Sequence, residues 1–161
     1  MKIANLTKRK REYRGGLSYM KLDKIEKFYA YGNVISKIEM ELLKEDQIET
    51  LSLVRFMRET GIRFKDAIEL TTRNMQGREV IMIERKLGSK YYKNPDGSRP
   101  SISEVTMQIL SAGEDGRYFH HRPEYYIYMI RKISPESDFV FHHLRAYFKL
   151  QSEYQAISTN S

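Results

Sequence analysis

At 161 residues the chain is long enough for one domain with a sizeable core, or one domain with an appended arm, and too short for a multidomain machine. Its 28 Lys and Arg against 21 Asp and Glu give a formal charge of +7 and a pI near 9.5, the electrostatic footprint of a nucleic-acid partner. Cysteine is absent, which excludes disulfides and thiolate metal sites; no apolar run reaches the roughly 18 residues that span a bilayer, and the amino terminus lacks the apolar core of a secretory signal. The expectation is a soluble, cytoplasmic protein.

Residues 1–20 carry Lys2, Lys8, Arg9, Lys10, Arg11 and Arg14 against the single Glu12, followed by Gly15-Gly16. Such a block reads as a phosphate-neutralising arm or linker, or equally as a solvated helix turn. From Tyr19 to Tyr31, Leu22, Ile25, Phe28 and Tyr29 recur at helical spacing, which predicts an amphipathic helix. A second helix is expected through Ile35, Ile38, Leu42 and Leu43. A third runs from about Asp46 through Ile48, Leu51, Val54, Phe56 and Met57 to Gly61, which can close it with a left-handed residue. Beyond Gly61, residues Phe64 to Leu70 read as a short helix.

Val80-Ile81-Met82-Ile83 is β-rich, and Arg85 to Lys90 supplies a glycine-containing turn before Tyr91-Tyr92, the pattern of a hairpin with exposed lysines at its tip. Asn94-Pro95-Asp96-Gly97 is a turn signal, and Ser101 with Glu104 has capping-box spacing, so a helix is expected from near Ser101 to before Gly113. A further helix runs from about Pro123 and stops by Pro135. The last begins around His142 and fades into a polar tail. The sum is a mainly α chain with a small antiparallel β-sheet.

Two segments far apart carry the chemistry: Thr60-Gly61-Ile62-Arg63, with Asp66 beyond it, and Phe141-His142-His143-Leu144-Arg145. Attack on a phosphodiester builds negative charge on non-bridging oxygens, and two guanidinium forks hold that charge bidentately as lysines cannot. Arg63 and Arg145 are the candidate clamp. A hairpin lysine, Lys86 with Arg85, Lys90 and Lys93 as close rivals, suits protonation of a leaving oxygen, and His142 suits a bond to the same phosphate or uptake of a nucleophile's proton. No cofactor or metal is required. The competing readings are structural: Arg63 in a salt bridge to Glu59 or Asp66, His142 and His143 as packing residues, His120-His121 as surface, and Tyr125, Tyr126 and Tyr128 as core rather than base-stacking rings.

The stretch from Leu53 to Arg63, followed by Asp66, Ala67, Ile68 and Leu70, resembles the first arginine box of the tyrosine recombinases, the phage integrase family. Lys86 lies where that family places its hairpin lysine, Arg117-Tyr118-Phe119 resembles the aromatic element before its penultimate helix, and His142-His143-Leu144-Arg145 is similar to its His-x-Leu-Arg box. The resemblance spans roughly residues 50 to 150. It implies a recombinase catalytic-domain fold over residues 21–161 and cutting and rejoining of double-stranded DNA through a phosphotyrosyl link, with Arg63, Lys86, His142 and Arg145 around one phosphate. It also implies a nucleoid-associated protein, monomeric in solution and able to oligomerise on DNA. The family's nucleophile lies well beyond its second arginine, and neither Tyr147 nor Tyr154 has its context, so the nucleophile is missing, supplied by another chain or removed by truncation. The alternative is a recombinase-fold DNA-binding regulator or accessory protein of a phage or mobile element that lacks catalysis.

Overall fold

The computed structural model describes the backbone of residues 16–159 and the side chains of 22–155; the basic arm expected from Lys2 to Arg14 lies outside the described residues. The fold is mainly helical, with one two-stranded antiparallel sheet. Helix α1 (Gly16–Lys44) buries Ile35, Ile38 and Leu42 on one stripe, as the spacing requires. The two helices expected between Tyr19 and Leu43 are this single one. Gly32 does not divide them, because its missing side chain is used: a Cβ there would stand 3.3 Å from the Tyr147 ring of the last helix.

Asp46, in the left-handed region at φ 55°, turns the chain into α2 (Ile48–Thr60). This helix is the centre of the fold. Leu51, Leu53, Val54, Phe56 and Met57 are buried, along with Thr50, Ser52 and Thr60, so apolar and small polar residues are covered on several sides. Gly61 closes it with φ 71°, donating to Met57 O at 2.9 Å, as the sequence indicates. Phe148 packs so closely over Gly61 that an added Cβ would come within 2.4 Å of its ring.

A single turn, α3 (Phe64–Ala67), leads through the 3-10 turn Thr72–Asn74 to strands β1 (Met75–Gln76) and β2 (Glu79–Val80), paired in the register Met75 to Val80 and Gln76 to Glu79. The β-rich run Val80–Ile83 therefore forms less strand than its residues suggest. Its amides alternate partners, Val80 N donating to Pro100 O and Ile81 N to Asn74 O, so no single neighbour supports a ladder. The expected lysine hairpin survives in shortened form: Ile83 bridges Tyr91, Glu84 N donates to Lys90 O, Tyr92 N donates to Met82 O, and a 3-10 turn (Arg85–Leu87) caps it.

Helix α4 (Glu104–Ile109) starts two residues later than the Ser101 capping box predicts. Ser103 is the cap, its hydroxyl accepting from Thr106 N at 3.2 Å, because Glu59 of α2 holds it there through Ser103 N at 2.7 Å and the hydroxyl at 3.0 Å. Arg55 continues this network by joining Thr106 and Glu39 at 3.0 Å each, tying α1, α2 and α4 together. Helix α5 (Pro123–Ile133) opens with proline at its first turn. Helix α6 (His142–Thr159) then crosses back over α1 and α2. Along the α1 side Phe28 is stacked on both Tyr147 and Tyr154 at 5.1 Å, and Lys24 pairs with Glu153 at 2.7 Å. No helix among the described residues is long and apolar enough to cross a membrane.

Candidate functional site

The Thr-Gly-Ile-Arg segment is shaped residue by residue. Thr60 donates its hydroxyl to Phe56 O at 2.7 Å and accepts from Ile62 N at 3.2 Å, Gly61 makes the left-handed turn, and Ile62 is fully buried. Anchored on both sides, Arg63 leaves the turn with extended backbone at the start of α3. Tyr92 fixes that backbone from the hairpin, its hydroxyl accepting from Arg63 N at 3.2 Å and donating to Asp66 at 2.6 Å. Burial, reinforced by the Asp66 carboxylate, pushes the Tyr92 phenol well above its ordinary range, so it stays a protonated donor.

Arg145 arrives from the first turns of α6, next to the fully buried Leu144. Its Nη1 donates to Gly61 O at 2.8 Å and its Nη2 to Glu84 Oε2 at 3.3 Å. Arg63 Nε donates to the same Glu84 oxygen at 2.8 Å. Two guanidinium groups remote in sequence thus converge on one carboxylate oxygen, and Glu84 is only 7 % exposed. Arg63 bonds there through Nε alone among the described residues, which leaves both of its Nη groups for another anion.

Beside this pair opens a cavity of about 860 Å³ whose lining includes Arg63, Lys86, His142 and Arg145. All four residues expected at one phosphate share it. Lys65, Arg85 and Arg131 add positive charge, and Asp66 is the one carboxylate among the lining residues. Its apolar walls are Met57, Phe64, Ile127, Ile130, Phe139, Val140 and Phe141. Of the rival hairpin cations, Arg85 lines the cavity beside Lys86, whereas Lys90 and Lys93 do not. Arg85 also has a fixed post, donating to Asp66 at 2.7 Å and to Lys65 O at 2.9 Å.

The acidic partners differ from expectation. Asp66 does not orient the Arg63 side chain, because it is turned to Arg85 and Tyr92, and Glu59 is occupied by Arg55, Ser103 and Thr106. Glu84 takes that role, from the hairpin rather than from the arginine's own helix. Sequence reasoning passed over it, although it is the only acid between Glu79 and Asp96 and directly follows the β-rich run. Arg131, in the last turn of α5, likewise lines the cavity with no sequence motif to mark it.

The two histidines divide. His142 is exposed and faces the cavity, while His143 is half-buried, accepts from Val140 N at 3.0 Å and stacks on Tyr31. Burial holds the His143 pKa below its ordinary value, with Asp138 opposing and His142 assisting. The unfolded chain then binds the extra proton more readily than the folded one, so stability is complete above about pH 6.5 and falls as pH drops through the lowered folded value. Melting followed from pH 7 towards 5 is expected to decline, and His143→Gln to flatten that slope; an unaltered slope would show that His143 does not carry it.

Tyr147 and Tyr154 face α1, and no tyrosine among the described residues lines the cavity. His120 and His121 are exposed, as expected of surface residues, and both lie against Glu49, His120 at 2.9 Å and His121 at 3.7 Å. Tyr126 is a core ring that donates to Glu49 at 2.6 Å, whereas Tyr128 is exposed. No protein-family model, curated protein or solved structure matches this chain. The site therefore has to be interpreted from its own chemistry.

Proposed function

We propose that the chain is a DNA-binding domain of the tyrosine-recombinase kind, in fold and in site, whose cavity takes one backbone phosphate of double-stranded DNA against the outer faces of Arg63 and Arg145, beside the Glu84 carboxylate that holds the two together. One observation carries this: both arginines bond a single carboxylate oxygen, and Lys86 and His142 line the same cavity. A phosphate beside Glu84 would meet the guanidinium hydrogens that Glu84 leaves over, in a setting where charge-assisted bonds are strong. His142 would bond a non-bridging oxygen, and, once a nucleophile forms its bond to phosphorus, Lys86 would protonate the deoxyribose oxygen whose bond to phosphorus breaks. Cutting and rejoining of DNA needs in addition a tyrosine brought to this cavity from outside the described residues or from another chain.

A second reading is favoured by the packing of Tyr147 and Tyr154 against α1: the domain binds DNA as a regulator or accessory protein and performs no cleavage. Offering a nicked suicide duplex and looking for a covalent adduct on a denaturing gel separates the two. An adduct supports the recombinase; its absence with binding intact supports the regulator. Binding itself is measured by fluorescence anisotropy. Affinity is expected to fall many-fold between about 50 and about 200 mM salt, and Arg63→Ala to weaken binding while lowering the logarithmic salt slope by about one unit. Binding that ignores both salt and Arg63 would dismiss either reading.

A further inference from the structure

A phosphate needs only the cationic part of this cavity. At about 860 Å³ the space is in the size range of sites that enclose whole small molecules, and much of its lining is apolar. The Phe64 and Phe141 rings stack on one another at 4.4 Å with their planes 13° apart, and the partly buried Phe64, backed by the buried Phe141, lines the cavity next to Arg63. Ile127 and Ile130 come from α5, and Val140, 49 % exposed, from the segment before α6. A paired duplex laid on the clamp would offer this wall no base and leave it in water. A group that is anionic at one end and flat and aromatic at the other satisfies both parts.

From this we infer that the cavity holds one unstacked nucleotide, with its phosphate on Arg63 and Arg145 and its base against the wall formed by Phe64, Phe141 and Val140. The inference rests on the phosphate reading above and narrows its substrate to DNA with a nucleotide free to leave the stack. Turning a paired base out opposes the gain from stacking, whereas a base that is already unpaired brings most of the gain into binding. The site therefore discriminates by local pairing.

Three end-labelled duplexes of the same sequence test this with the full chain by anisotropy: one fully paired, one with a single extra unpaired adenine, and one with that extra nucleotide abasic. The bulged duplex is expected to bind roughly tenfold more tightly than the paired one, with the abasic bulge returning to the paired value. Val140→Ser, at a half-exposed position, is expected to bring the ratio of bulged to paired affinity towards one. Equal binding of the bulged and abasic duplexes, or a ratio unchanged by Val140→Ser, overturns the inference. If all three bind alike and still depend on Arg63, the nucleotide inference fails and the phosphate reading stands; if none binds, both fail.

Discussion

Glu84→Ala is expected to destabilise the fold by about 3 kcal/mol, towards the lower end of the cost of breaking a buried ion pair. The side chain is 10 % exposed and its Oε2 receives both Arg63 and Arg145, the latter itself only 14 % exposed. Removing the carboxylate leaves two like charges near one another with no anion between them. Arg63, at 32 % exposure, recovers some hydration, which is why the upper end of the range is not reached. Glu84→Gln keeps an acceptor oxygen and should cost less. The same reasoning predicts rescue: an anion entering the clamp of Glu84→Ala stabilises it by mass action, about 1.4 kcal/mol at ten times its Kd. Chemical denaturation with and without inorganic sulfate checks both parts. An alanine variant as stable as the parent, or one that sulfate leaves unchanged, would show that the two arginines do not act as a shared anion site.

That prediction turns on the residue the sequence did not disclose, and the reason is general. Helices α2, α5 and α6 are readable because burial repeats at helical spacing, and Gly61 and Pro123 mark ends through backbone preferences that act locally. Arg63 and Arg145 are legible as a pair because planar, permanently charged forks suit an anion. Which carboxylate meets them is a tertiary matter. Asp66 is close to Arg63 in sequence, yet Arg85 and the buried Tyr92 claim it, and Glu84 reaches the clamp only because the hairpin folds across the end of α2. The continuity of α1 through Gly32 and the choice of Ser103 over Ser101 as a cap have the same origin. Tyr147 fills the space beside Gly32, and Glu59 binds Ser103. In each case a partner distant in sequence decided between local options that were nearly equal.

Arg145→Lys separates geometry from charge, since it leaves the net charge of the cavity as it was. Arginine spans two acceptors here, Gly61 O at 2.8 Å and Glu84 Oε2 at 3.3 Å, and links the turn after α2 to the hairpin. A lysine nitrogen is a compact donor on a flexible stem and lacks the rigid fork that spreads those two bonds. Loss of one charge-assisted bond should cost about 1.5–3 kcal/mol, or roughly 3–12 °C in melting temperature for a chain of this size. Affinity for duplex DNA should drop roughly 10- to 150-fold at fixed ionic strength, one such bond's worth. The logarithmic salt slope should hold, because the number of cations facing the phosphates is unchanged. Arg63→Ala is expected to do the reverse to that slope, so the two variants compared distinguish a shaped clamp from a merely basic surface. Parental melting and parental affinity in Arg145→Lys would mean that positive charge alone suffices at this position, and the clamp would no longer account for binding.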